Sequence, residues 1–136
     1  MTPGERQTLA AAMDRVLPPE PGPGASDANA IGYVDWLIGT EGRSGAALGP
    51  GLALLDSIAE GTCGRPFAAC SPAERDQVLA RMQDVPHPTA QRFFRSLVMM
   101  TVTGFLCAPR HGGNRGRAGW NAIGFVPHPL TDAEAP

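Results

Sequence analysis

Lysine is absent. All eleven basic residues are arginine, which excludes a lysine Schiff base, a phosphate-gripping lysine of the Walker type and a polylysine patch. Thirteen acids against eleven arginines leave a net charge of −2. That balance argues against a strongly basic nucleic-acid face, and no nucleic-acid partner is expected. Cysteine is scarce. Cys63, Cys70 and Cys107 are an odd, sparse set, unlike the even, dense set of an oxidised scaffold. One internal bridge is open to them, between Cys63 and Cys70, if the turn brings their Cα atoms within about 7 Å. Cys107 is expected to be a buried free thiol. Long apolar runs are missing too. The longest, residues 96–107, falls short of the roughly 20 residues that a membrane span needs, so no direct membrane span is expected. Residues 1–17 carry neither an apolar signal core nor a twin-arginine pair. The expectation is a cytoplasmic chain, or a periplasmic one if a signal was removed or export depends on a partner.

What the chain has in quantity is glycine and proline, 17 and 14 residues. They punctuate it into short helices and loops and exclude a long coiled coil. A hydrophobic share of 43% against 18% charged is globular composition. At 136 residues one helical domain, residues 1–136, is the natural count.

Helix signals recur along the chain. Thr2, Pro3 and Glu5 form a capping signature, followed by Leu9, Met13 and Val16 at helical spacing. Pro18-Pro19 stops that helix, and residues 18–25 read as a loop. Ser26-Asp27 reads as the cap of a second helix, with Ile31, Val34, Leu37 and Ile38 as its apolar stripe. Residues 39–49 read as a glycine-rich connection, and a third helix is expected after Pro50. Residues 61–70 make a turn anchored by Phe67. Ser71-Pro72-Ala73-Glu74 is a second capping signature. Residues 88–107 form the longest helix, apolar around most of its circumference, which suits a central helix or one covered by a partner. The tail after Pro109 shows no helical period. No alternating stretch suggests a sheet. The expected fold is all-α: about five helices in a compact bundle, with an irregular Gly/Pro-rich C-terminal segment packed on it.

No self-sufficient active site emerges. His87, His111 and His128 have no metal-ligand spacing. His87 and His128 each precede a proline and read as exposed turn residues. No nucleophile elbow is present, and Cys107 with His111 is better read as a buried thiol near a turn than as a catalytic pair. Asp14, Asp35 and Asp56 read as solvent-facing or arginine-paired. No catalytic, metal-binding or cofactor-binding residue is assigned. The loop Arg110-His111-Gly112-Gly113-Asn114-Arg115-Gly116-Arg117 has two open readings. Its arginines could grip a phosphate or carboxylate, or it is a tight turn with positive φ at Gly112-Gly113 and Asn114 bonding local backbone.

Two stretches then go together. Gly104-Phe105 leads to Pro109-Arg110-His111-Gly112-Gly113-Asn114, and Gly119-Trp120-Asn121-Ala122-Ile123-Gly124-Phe125 follows. This pair resembles the closing motif of the gluconate 2-dehydrogenase subunit 3 family, with His111 where tyrosine is more usual. Asp14-Arg15-Val16-Leu17-Pro18, Pro23-Gly24-Ala25, Val34-Asp35, Pro66-Phe67, Ser71-Pro72-Ala73-Glu74 and Phe93-Phe94 extend the similarity over most of the chain. The resemblance implies a bacterial, non-catalytic small subunit with a chaperone-like role. It would bind, stabilise and assist maturation of a large FAD-dependent sugar or sugar-acid dehydrogenase of the glucose-methanol-choline type. FAD is expected in that large partner and no cofactor in this chain. A multihaem cytochrome c often takes the electrons in such complexes. Members typically carry a twin-arginine signal. On this reading the partner-binding residues are Arg110, His111, Gly112, Gly113, Asn114, Arg115, Arg117, Trp120 and Phe125. The aromatics pack inward, at least one of Trp120 and Phe125 being buried, and the arginines project to the partner. The alternative is a stand-alone helical ligand-binding protein or small enzyme using the Arg110–Arg117 loop and Cys107.

Overall fold

A computed structural model describes residues 1–41 and 44–127. Six α-helices occur in it: α1 Pro3–Val16, α2 Ala30–Glu41, α3 Ser44–Cys63, α4 Pro72–Asp84, α5 Pro88–Leu106 and α6 Ala118–Ile123. No strand occurs among the described residues. The all-α expectation holds: α1 to α5 pack together, and the C-terminal segment closes on α5.

Both capping boxes form. The Thr2 and Ser71 hydroxyls accept the amide protons of Glu5 and Glu74, whose carboxylates accept in return from the Thr2 and Ser71 amides. Two of the orphan amide donors at each helix start are thereby satisfied. His87 caps α5, its Nδ1 accepting from the Thr89 amide at 3.1 Å. It is exposed, as expected. His128 lies outside the described residues.

The core is built from one face of each long helix. Leu9 and Met13 of α1, Val34 of α2, Leu52 and Leu55 of α3, Val78 and Met82 of α4 and Leu97 of α5 are buried together around Phe67, which is fully buried. Phe67 sits in a 3-10 turn, Phe67–Ala69, held from two sides. Its amide donates to Asp56 of α3, and Arg75 of α4 donates to the Phe67 and Ala68 carbonyls.

Three local expectations are corrected. The second helix starts at Ala30, not after Ser26-Asp27. The Ser26 amide and hydroxyl both donate to Asp14 on α1, and Asp27 accepts from the Gly24 amide. Both side chains therefore tie down the preceding loop instead of capping a helix. Residues 39–49 are not a long connection: α2 runs to Glu41 and α3 begins at Ser44, with Pro50 inside it, so α3 at 20 residues, not α5 at 19, is the longest helix described. Just past Pro50, inside α3, Gly51 serves packing, since a Cβ there would overlap the Phe93 ring of α5. The tail is not wholly irregular. It holds 3-10 turns at Pro109–His111 and Arg115–Arg117, then α6. A helix of under two turns is too short to show a period in sequence.

Candidate functional site, the closed C-terminal segment

The last turn of an α-helix leaves carbonyls without intrahelical donors. In α5 they are answered by the tail. The Thr103 carbonyl accepts from the Cys107 amide at 2.8 Å. The Gly104 carbonyl accepts from the Asn114 amide at 2.8 Å. The Leu106 carbonyl accepts from the Trp120 indole Nε1 at 2.7 Å. The Cys107 carbonyl, just past the helix, accepts from Asn114 Nδ2 at 2.9 Å.

Asn114 is the hub of this arrangement. It is fully buried and adopts the left-handed conformation, φ 47°, which asparagine tolerates better than most residues. Its Oδ1 accepts from the Gly119 and Trp120 amides at 2.8 and 3.3 Å. These are two of the orphan donors at the start of α6, a cap supplied from outside the usual position. Its own carbonyl accepts from the Arg117 amide. The expectation that Asn114 bonds local backbone is met, and it reaches across to α5 as well.

The glycines need correction. Gly112 has positive φ, 92°, but Gly113 does not. Gly113 is needed because the backbones touch: a Cβ there would collide with the Gly104 carbonyl. Gly119 meets the same limit against the Phe105 carbonyl. Two residues without side chains thus set how closely the tail lies on α5.

The tail also grips α2 and the loop before it, which pack directly against α5. Asn29 Nδ2 donates to the Gly112 carbonyl at 3.0 Å, and the Arg115 amide donates to the Ala28 carbonyl at 2.9 Å. The His111 ring lies 4.5 Å from the Trp36 ring of α2, centroid to centroid. Trp36 is stacked in turn on Tyr33.

Of the nine residues expected to meet a partner, Gly113, Asn114 and Trp120 are buried within the chain. Gly112 and His111 are half-buried against α2. Arg110 and Arg115 are exposed, while Arg117 is half-buried with its guanidinium 5.8 Å from the Trp120 ring centre. Phe125 packs edge-on against Trp120 yet remains 44% exposed. At least one aromatic was expected to bury, and Trp120 does.

An apolar strip runs from this closure along α5. Phe94, Val98, Val102 and Leu106 share one row at i, i+4 spacing, with Met99 beside them. Met99 is 65% and Val102 42% exposed. The tail carries exposed apolar residues of its own, Ile123, Phe125 and Val126, the last 84% exposed. A groove of about 440 Å³ lined by Gln83, Gln91, Phe94, Arg95, Val98 and Met99 lies along the strip. A smaller cleft of about 270 Å³ between α3 and α5 is lined by Leu48, Pro50, Gly51, Thr89, Arg92, Phe93 and Ser96. Neither lining carries a carboxylate, a histidine or a cysteine. The exposed edge of α5 is a feature that the sequence reading left open between burial and cover by a partner.

The acids and thiols of the sequence reading fall elsewhere. Asp35 pairs bidentately with Arg6, 2.7 Å at the closest. Asp14 and Asp56 instead accept from Ser26 and from the Phe67 amide, so each fastens a loop. Cys107 is half-buried rather than buried; it is a free thiol, and burial pushes it up from its ordinary range. Sequence spacing gave no cluster of metal-ligating groups, yet Cys63, Cys70 and Glu74 come within 4.8 Å of one another. The signal was the turn between them, whose closure a linear spacing rule does not measure.

The family model described as gluconate 2-dehydrogenase subunit 3 matches residues 3–127. No curated protein and no solved structure matches the chain. The match spans nearly the whole molecule, including the closed tail, and the chain belongs to the gluconate 2-dehydrogenase subunit 3 family.

Proposed function

From that membership we propose that the chain is a non-catalytic small subunit. It binds and stabilises a large FAD-dependent dehydrogenase subunit of the glucose-methanol-choline type and assists its maturation. The large subunit holds the flavin and oxidises a sugar or sugar acid, and a multihaem cytochrome c receives the electrons. Beyond the family, the observation that supports this reading is the apolar row of α5, where Met99 and Val102 are exposed beside Phe94 and Val98. An exposed apolar row on one helix of a small chain, with arginine beside it, is the composition of a protein interface. Arg95 and Arg115 are exposed and suited to bidentate pairing with partner carboxylates.

The test is co-expression with the large flavoprotein from the same source. The double variant Met99→Asp, Val102→Asp changes exposed side chains only, so the isolated chain should melt within about 2 °C of the parent. Recovery of the large subunit with it, and its flavin content, should fall at least about tenfold, as for loss of a central apolar contact. Unchanged recovery of a flavin-loaded large subunit would count against this surface and this role.

A further inference from the structure

The connection between α3 and α4 carries two thiols that the proposed role does not use. Cys63 is the last residue of α3 and is half-buried. Cys70 follows the Phe67–Ala69 turn, directly before Ser71, the cap of α4. It is 4% exposed. Their sulfurs and a Glu74 carboxylate oxygen all lie within 4.8 Å of one another. Both thiols are free.

The turn between them is held in place from several sides. Phe67 is fully buried, its amide bonded to Asp56 and its carbonyl to Arg75. The Arg65 guanidinium bonds both oxygens of Glu74. The Cys70 thiol sits 3.4 Å from the Pro66 carbonyl and 3.8 Å from that of Arg65. Two sulfurs are therefore presented to each other by backbone that is already ordered.

We propose that Cys63 and Cys70 form a dithiol–disulfide site, oxidised by exchange with a small-molecule disulfide. The half-exposed Cys63 reacts first. Its thiolate attacks one sulfur of the oxidant RSSR, forms a mixed disulfide and releases one RSH after protonation. Cys70, as thiolate, then attacks the Cys63 sulfur of that mixed disulfide. The Cys63–Cys70 bond forms and the second RSH leaves. Two electrons and two protons pass from the protein dithiol to RSSR, which is reduced to two RSH. The order follows from access, and burial acts the same way by pushing the Cys70 thiol up, so that it serves as the resolving group.

The same three residues could be read as metal ligands. Glu74 speaks against this. Its Oε1 already accepts from the Ser71 amide, and both of its oxygens accept from Arg65. A cation there would displace a helix cap and stand beside a guanidinium, with only two thiolates in compensation. The sulfurs have each other as the nearer partner in chemistry.

The experiment uses the full chain, reduced and then equilibrated with oxidised glutathione. Thiols are counted in denaturant, and proteolytic peptides are mapped by mass spectrometry. The free thiols should fall from three to one, with Cys63 and Cys70 in one linked peptide pair and Cys107 free. Closing so short a loop should raise Tm by about 5–10 °C. The Cys70→Ser variant should stop at the mixed disulfide, with one glutathione on Cys63. Three persistent thiols, glutathione retained on Cys63 of the unaltered chain, or linkage through Cys107 would overturn the proposal. So would stoichiometric binding of Zn²⁺ alone by the reduced chain that blocks oxidation and is lost in Cys63→Ser, which would make the cluster a metal site.

Discussion

Asn114 uses its amide, its carbonyl and both side-chain polar atoms, and all five partners lie within the same closure. Replacing it by alanine leaves the Gly119 and Trp120 amides and the Cys107 carbonyl without partners, all at the edge of the core. The expected cost is about 2–4 kcal/mol, from buried groups left unsatisfied and from a left-handed φ that alanine tolerates poorly. Asn114→Asp separates the two halves of the side chain. It keeps an acceptor for the α6 amides but sets a carboxylate oxygen against the Cys107 carbonyl, so it should be no better than alanine. Urea unfolding of the three proteins measures this; an aspartate variant as stable as the parent would show that the Cys107 contact contributes nothing. In the sequence, the bond of Asn114 to its own turn was legible, because asparagine beside paired glycines is a local signal. Its grip on α5 was not. That contact depends on where the chain lies after reversing direction, which no neighbour in sequence encodes.

Helix starts with a capping box, at Thr2 and Ser71, were readable because their donors and acceptors lie within four residues. The extent of α3 was not, because Pro50 lies inside it and because glycine has two uses. Spacing alone does not separate a glycine that lets a chain turn from one that lets two helices touch. Gly51 under Phe93 is the second kind, and so is Gly119 under α5. Gly119→Ala tests the latter. The new methyl meets a backbone carbonyl, which cannot rotate away, so α6 must move off α5 and the Trp120–Leu106 bond must lengthen. A loss of about 1–3 kcal/mol is expected, as for other overpacked contacts. A blunted change in Trp120 fluorescence on unfolding should accompany it. Unaltered stability would mean that α6 has freedom to slide.

Across the whole molecule, three carboxylates tie elements together and are more acidic for it. Glu5 is lowered by the Thr2 amide, Glu74 by the Ser71 amide and then by Arg65, and Asp76 by Arg15 at 2.8 Å, which links α4 to α1. Each is more acidic folded than unfolded, so the unfolded chain takes up protons first on acidification. Their contribution is complete above the ordinary carboxyl range, about pH 4–4.5, and is lost as pH falls through the lower folded values. Melting temperature should therefore be flat from pH 7 to about 5 and fall below about 4. Asp76→Asn should flatten part of that fall; an identical profile would show that the Arg15 pair is idle. All-α architecture was legible at this scale, since periodicity and caps add up over many residues. The exposed row on α5 was legible as apolar but not as exposed, because composition does not say which side a neighbour covers.

The tail's hydrogen bonds also set an order in time. The Asn29 side chain leaves the ribosome early, yet its acceptor at Gly112 lies 83 residues downstream. The carbonyls that end α5 wait in the same way for Asn114 and Trp120. A nascent chain halted before Gly112 holds α1 to α5 but leaves the end of α5 without its partners and the seam beside α2 open. The closure is thus made only once Ala118–Ile123 has been synthesised. A protease that cuts loose helix ends would therefore meet an open α5 in the halted chain and a closed one once the tail has folded back.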